Sequence, residues 1–121
     1  MKLEKLGPEF TVCKLTSLEG VRLGEFCFLG RTDEEISLVC PTQETPENTT
    51  HRDGGWRGFR ITGQLEFSLI GILSRISGIL AGEKIGIFAV STYNTDYILV
   101  KEENFERALD ALAKSGYEIT G

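Results

Sequence analysis

The segment Ser91-Thr92-Tyr93-Asn94-Thr95-Asp96-Tyr97-Ile98-Leu99-Val100 places a polar turn with one carboxylate between two apolar runs. Ile85-Gly-Ile-Phe-Ala-Val90 precedes the turn and Tyr97-Ile-Leu-Val100 follows it, both rich in β-prone side chains, so the pair reads as a hairpin with residues 92–96 at its tip. Upstream, Ser68 is a good helix N-cap, and Leu69, Ile72, Leu73, Ile76 and Leu80 follow at helical spacing, which predicts a helix over about 69–82. Before it, Gly58-Phe-Arg-Ile-Thr-Gly63 alternates as a strand. Downstream, Phe105, Ala108, Leu109 and Leu112 form a second apolar stripe over about 102–115, Gly116 suits a helix C-cap, and Tyr117-Glu-Ile-Thr120 closes as a short strand. The order is strand, helix, strand, strand, helix, strand. That βαββαβ pattern implies an α+β, ferredoxin-like unit with both helices on one face of an antiparallel sheet.

The first half differs. Three short strands are expected at residues 10–15, 24–29 and 36–40, with the charged Arg31-Thr-Asp-Glu-Glu35 as a turn and no long helix. Residues 41–55 carry almost no large apolar side chains but two prolines and two glycines, which reads as a linker or exposed loop. The expected organisation is therefore a mostly β unit plus linker over residues 1–55 and a complete unit over 56–121.

Composition excludes several function classes. With 121 residues, 40% hydrophobic content and a formal charge of −5, the chain has the profile of an ordinary globular protein. Its Lys and Arg residues are scattered singly, so a nucleic-acid partner is not expected. No apolar stretch reads as a signal peptide or a membrane span, which implies cytoplasmic residence. Three cysteines, at 13, 27 and 40, match no zinc pattern and are expected as reduced packing residues. The single histidine, His51, lies in the polar stretch beside Arg52 and Asp53 without an activating motif, and no phosphate- or dinucleotide-binding loop is present. The chain is expected to be no enzyme and to need no cofactor or metal.

The helix, hairpin and helix of the second half resemble the ACT-domain superfamily of small-ligand regulatory modules, and within it the ACT-like units of small bacterial proteins and of a eukaryotic cytosolic arginine sensor. Gly24-Glu-Phe and the segment Arg31-Thr-Asp-Glu-Glu-Ile-Ser-Leu-Val-Cys40 extend the resemblance, more loosely, into the first half. The resemblance implies that the first half is a truncated ACT-like unit. In that superfamily a glycine commonly stands near the first turn of the first helix, and Gly71 of Glu66-Phe-Ser-Leu-Ile-Gly71 occupies that place, without the Asp-x-Pro-Gly form of many metabolic ACT domains. A helix start with backbone N–H groups open to a ligand favours a carboxylate. Asp96, expensive to bury alone, favours a cation. A candidate ligand site therefore joins Ser68, Leu69, Ile70 and Gly71 to Thr92, Tyr93, Asn94, Thr95 and Asp96. Its implied ligand is an amino acid, whose opposite charges match the two ends. ACT units commonly pair side by side, so pairing of the two halves or a homodimer is expected. A protein-interaction or assembly domain without a ligand is the alternative.

Overall fold

The computed structural model describes residues 1–62 and 71–121. Its elements run β1 (Lys2–Leu15), β2 (Phe28–Arg31), β3 (Ile36–Pro41), a single 3₁₀ turn (Thr42–Glu44), β4 (Thr49–Thr62), α1 (Ile72–Gly82), β5 (Phe88–Ser91), β6 (Asp96–Lys101), α2 (Glu102–Lys114) and β7 (Glu118–Thr120). Among the described residues this is an α+β fold with two α-helices. Two compact units divide it, one of Pro8–Trp56 and one of Met1–Gly7 with Arg57–Gly121. The first seven residues, expected with the first half, thus group with the second.

In the helical unit the strands follow the order β7, β1, β4, β6, β5, with β5 and β6 antiparallel and β7 parallel to β1. The parallel pair departs from the all-antiparallel expectation, because Lys2–Glu4 of β1 run beside β7. Side chains alternate across β4 and β6. Phe59, Ile61, Ile98 and Val100 face the helices and pack with Ile76, Leu80, Phe105, Ala108, Leu109 and Leu112. The intervening residues face the other way, where Arg60 joins Glu4 at 2.7 Å and the Tyr97 hydroxyl at 3.4 Å. The expected α2 stripe is all buried. Its C-terminus closes in a Schellman motif, in which Gly116 (φ 101°) donates to the Ala113 carbonyl and Tyr117 to that of Leu112.

The other unit has the order β2, β3, β1, β4 and a small core of Cys13, Leu15, Leu38 and Cys40, with Leu18, Val21, Cys27 and Ile36 against it. All three thiols are free and converge there, as expected for packing residues. The stretch expected as a linker contains a 3₁₀ turn and the first half of β4. Thr49–Trp56 is polar because it lies at the edge of this unit's strand order, where backbone pairing rather than side-chain burial holds a strand.

The two hairpins repeat each other. Phe28 pairs with Val39, Leu29 with Leu38, Gly30 with Ser37 and Arg31 with Ile36; sixty residues on, Phe88 pairs with Leu99, Ala89 with Ile98, Val90 with Tyr97 and Ser91 with Asp96. Their tips match as well: Thr32 N–H donates to the Glu35 carbonyl at 3.0 Å, and Thr92 N–H to that of Thr95 at 2.9 Å.

Candidate functional site

The hairpin tip is an ST-turn. The Thr92 hydroxyl donates to the Thr95 carbonyl at 2.9 Å and accepts from the Thr95 N–H at 3.5 Å. A second bond fixes where the tip sits, because the Thr95 hydroxyl donates to the Ile61 carbonyl at 2.8 Å. The tip is thereby tied to the end of β4, the strand that leads towards α1. Asp96 is half-buried, and period-two alternation puts it on the same face as Ile98 and Val100, which is the helix-bearing face. Its Oδ1 accepts from the Ser91 hydroxyl at 2.6 Å, and among the described residues the carboxylate enters no ion pair. Tyr93 is 91% exposed, and Asn94 is exposed beside it.

The helix start differs from the sequence expectation. α1 begins at Ile72, and its N-cap is Gly71 rather than Ser68. Gly71 adopts φ 83°, ψ 13°, and its carbonyl accepts the first helical bond, from Arg75 N–H at 2.9 Å. A left-handed residue there turns the chain into the helix without a capping side chain, which is why the serine rule misplaced the boundary. Ser68, Leu69 and Ile70 lie outside the described residues. Beside the first turn, Ile72 and Arg75 line a cavity of about 160 Å³ with Met1, Ser115, Gly116 and Tyr117. Arg75 escaped the sequence reading because it stands on the polar side of the helical stripe.

A paired substitution separates conformation from space in α1. A Cβ at Gly71 or Gly78 would meet nothing within 4 Å. Gly71→Ala is expected to cost about 1 kcal/mol from its positive φ alone, whereas Gly78→Ala, inside the helix, is expected to gain about 0.5–1 kcal/mol. Urea unfolding of both variants checks this; shifts of the same sign would contradict the backbone account.

The remaining sequence candidates lie elsewhere. His51 is exposed, its Nδ1 3.0 Å from the Thr50 hydroxyl, and no group of three or more His, Cys, Asp or Glu among the described residues could hold a metal. No helix among the described residues is long and apolar enough to cross a membrane.

Residues 52–114 match the ACT domain family, and the chain belongs to that family. Over 60 residues it is 38% identical to the rat cytosolic arginine sensor for mTORC1 subunit 1, a match covering 49% of this chain and 18% of that protein. The chain thus spans less than a fifth of the length of such relatives. Among solved structures it resembles a protein of Agrobacterium tumefaciens with a TM-score of 0.86 and 32% identity, covering 98% of this chain and 90% of that one. The aspartokinase alpha and beta subunits share the fold, with a TM-score of 0.68 and 15% identity over 94% of this chain and 96% of that one.

Proposed function

We propose that this protein is a non-catalytic regulatory module that binds an amino acid at the tip of its second hairpin. The observation that carries the reading is the bond from Thr95 to the Ile61 carbonyl, which ties the tip to the end of the strand leading to α1. Membership of the ACT family and likeness to an arginine sensor supply the ligand class. Asp96, not engaged in an ion pair among the described residues, would take the ammonium or a basic side chain. The α1 start, with Gly71 and the residues Ser68, Leu69 and Ile70 before it, would take the carboxylate, and Arg75 in the first turn adds positive charge there. Thr92, Tyr93 and Asn94 would complete the wall.

In this reading residues 56–121 form a ferredoxin-like ACT unit, and residues 1–55 are a truncated ACT-like unit, without its helices, plus linker. The repeat of hairpin register supports this. β3 ends at Pro41 where β6 ends at Lys101, but a three-residue turn then stands in place of the thirteen residues of α2. Pairing of ACT units, between halves or as a homodimer, would accompany ligand binding in a cytoplasmic protein.

Titration calorimetry with the twenty amino acids tests the reading. One of them is expected to bind, and at about 100 times its dissociation constant to stabilise the fold by about 2.7 kcal/mol. Asp96→Asn is expected to lose about 1.5–3 kcal/mol of that binding with the fold intact, the range for a hydrogen bond to a charged group. Absence of heat at millimolar concentration with every amino acid would favour the assembly-domain alternative.

A further inference from the structure

We infer that the helix-poor unit holds a second binding site, independent of the hairpin tip, for an organic cation with an apolar stem such as a guanidinium- or ammonium-bearing alkyl chain. The site arises from what this unit lacks. In the helical unit, α1 and α2 cover the sheet face; in Pro8–Trp56 the corresponding positions carry the loop between β1 and β2 and the 3₁₀ turn, which buries no residue. A cavity of about 560 Å³ opens between these two replacements, and a neighbouring one of about 520 Å³ shares Gly24 and Glu44 with it. That volume lies in the range of small-molecule sites.

The lining sets the class of ligand. Pro8, Phe26 and Pro41 give an apolar wall, and the Phe26 ring is braced edge-on against the buried Phe10 ring at 6.4 Å between centroids. Glu9, Glu25 and Glu44 supply three carboxylates, no Lys or Arg lines the larger cavity, and none of the three acids enters an ion pair among the described residues. The acids do not form a cluster able to hold a metal ion. An extended organic cation satisfies both the separated charges and the aromatic wall, since a cation gains from a ring face and from carboxylates together. Gly24 belongs to the same arrangement, because a Cβ there would overlap the Glu44 carboxylate and turn it away.

The test uses agmatine, which has a guanidinium, an alkyl stem and an amine but no carboxylate and therefore lacks half of what the hairpin site would need. Amide NMR shifts of the full chain are followed during titration. The expected result is saturable movement of Gly24, Phe26, Thr42 and Glu44, at least tenfold weaker binding in Glu25→Gln/Glu44→Gln, and unchanged binding in Asp96→Asn. Should the double variant lose its fold by circular dichroism, the single Glu44→Gln and Gly24→Ala variants are read instead, each expected to weaken binding at least threefold. Shifts confined to residues 92–96, no shift at 10 mM agmatine, or full affinity in the glutamine variants would each overturn the inference. Loss of amino-acid binding in Asp96→Asn with agmatine binding retained would leave this site standing apart from the other.

Discussion

Phe59→Ala is expected to lower stability by about 3–5 kcal/mol, the cost of deleting a fully buried phenylalanine and leaving the cavity behind. Phe59 is wholly inaccessible and belongs to the cluster that joins β4 and β6 to both helices, including Ile76, Leu80, Phe105 and Leu112. Neighbours cannot collapse readily into the gap, since the cluster draws on β1, β4, β6 and both helices, with the strand backbones fixed by pairing and α2 by its Schellman closure. A domain of this kind is stable by about 5–15 kcal/mol, so the loss takes about a fifth or more of the whole. Tyr93→Ala provides the contrast. At 91% exposure its ring buries almost nothing, and its stability change is expected within about 0.5 kcal/mol. Urea unfolding followed by far-UV circular dichroism reads both, and a Phe59→Ala loss below about 1 kcal/mol would refute the assignment of this cluster as the main core.

The same contrast explains how much of the molecule was legible in the sequence. Strong periodicity was readable wherever burial is one-sided: Phe105, Ala108, Leu109 and Leu112 on α2, and the alternation around residues 58–62, lie as the pattern demands. Gly116 was legible because a left-handed residue at a helix end favours glycine. Thr49–Trp56 was not, since an edge strand is held by backbone bonds that leave no apolar signature. Strand β1 runs unbroken through Gly7-Pro8, a pair that ordinarily marks a break, and so its first residues were missed. The hairpin repeat was hidden for another reason. Of the fourteen positions from 28 to 41 and 88 to 101, only Phe28/Phe88 and Thr32/Thr92 are identical, although every paired register is preserved. Register follows from which face is buried, and Leu, Val, Ile and Cys serve that purpose equally well. At the candidate site the tip was readable from its turn residues, whereas the helix start depended on the backbone angle of Gly71, for which Ser68 offered a competing signal.

Alkaline pH should destabilise the helix-poor unit through its thiols. Cys40 is 2% exposed, and burial pushes its thiol from the ordinary 9.0 up to about 11, opposed by a hydrogen bond to Thr45 and reinforced by Cys13, Glu44 and Cys27 nearby. Cys13 is raised in the same direction, again chiefly by burial, against the pull of Arg52 and a bond to Cys40. The native state therefore holds these protons above the pH at which an unfolded chain releases them. Their contribution is complete below about pH 9 and is lost as pH rises towards 11, with Cys40 alone accounting for about 3 kcal/mol across that window. Urea midpoints at pH 7 and pH 10.5 should thus differ more in the wild type than in Cys40→Ala, where that slope is absent. Chemical reactivity follows the same physics, because only the thiolate attacks. At pH 8 the raised pKa leaves Cys40 with on the order of one-hundredth of the thiolate of an ordinary cysteine. Cys27, half-buried with its sulfur 3.4 Å from the Gly24 carbonyl, is the accessible thiol of the three. N-ethylmaleimide on the native protein should add once, at Cys27, and three times in urea. Rapid native labelling of Cys40, or equal pH slopes in wild type and Cys40→Ala, would show that this core admits water and does not protect its thiols.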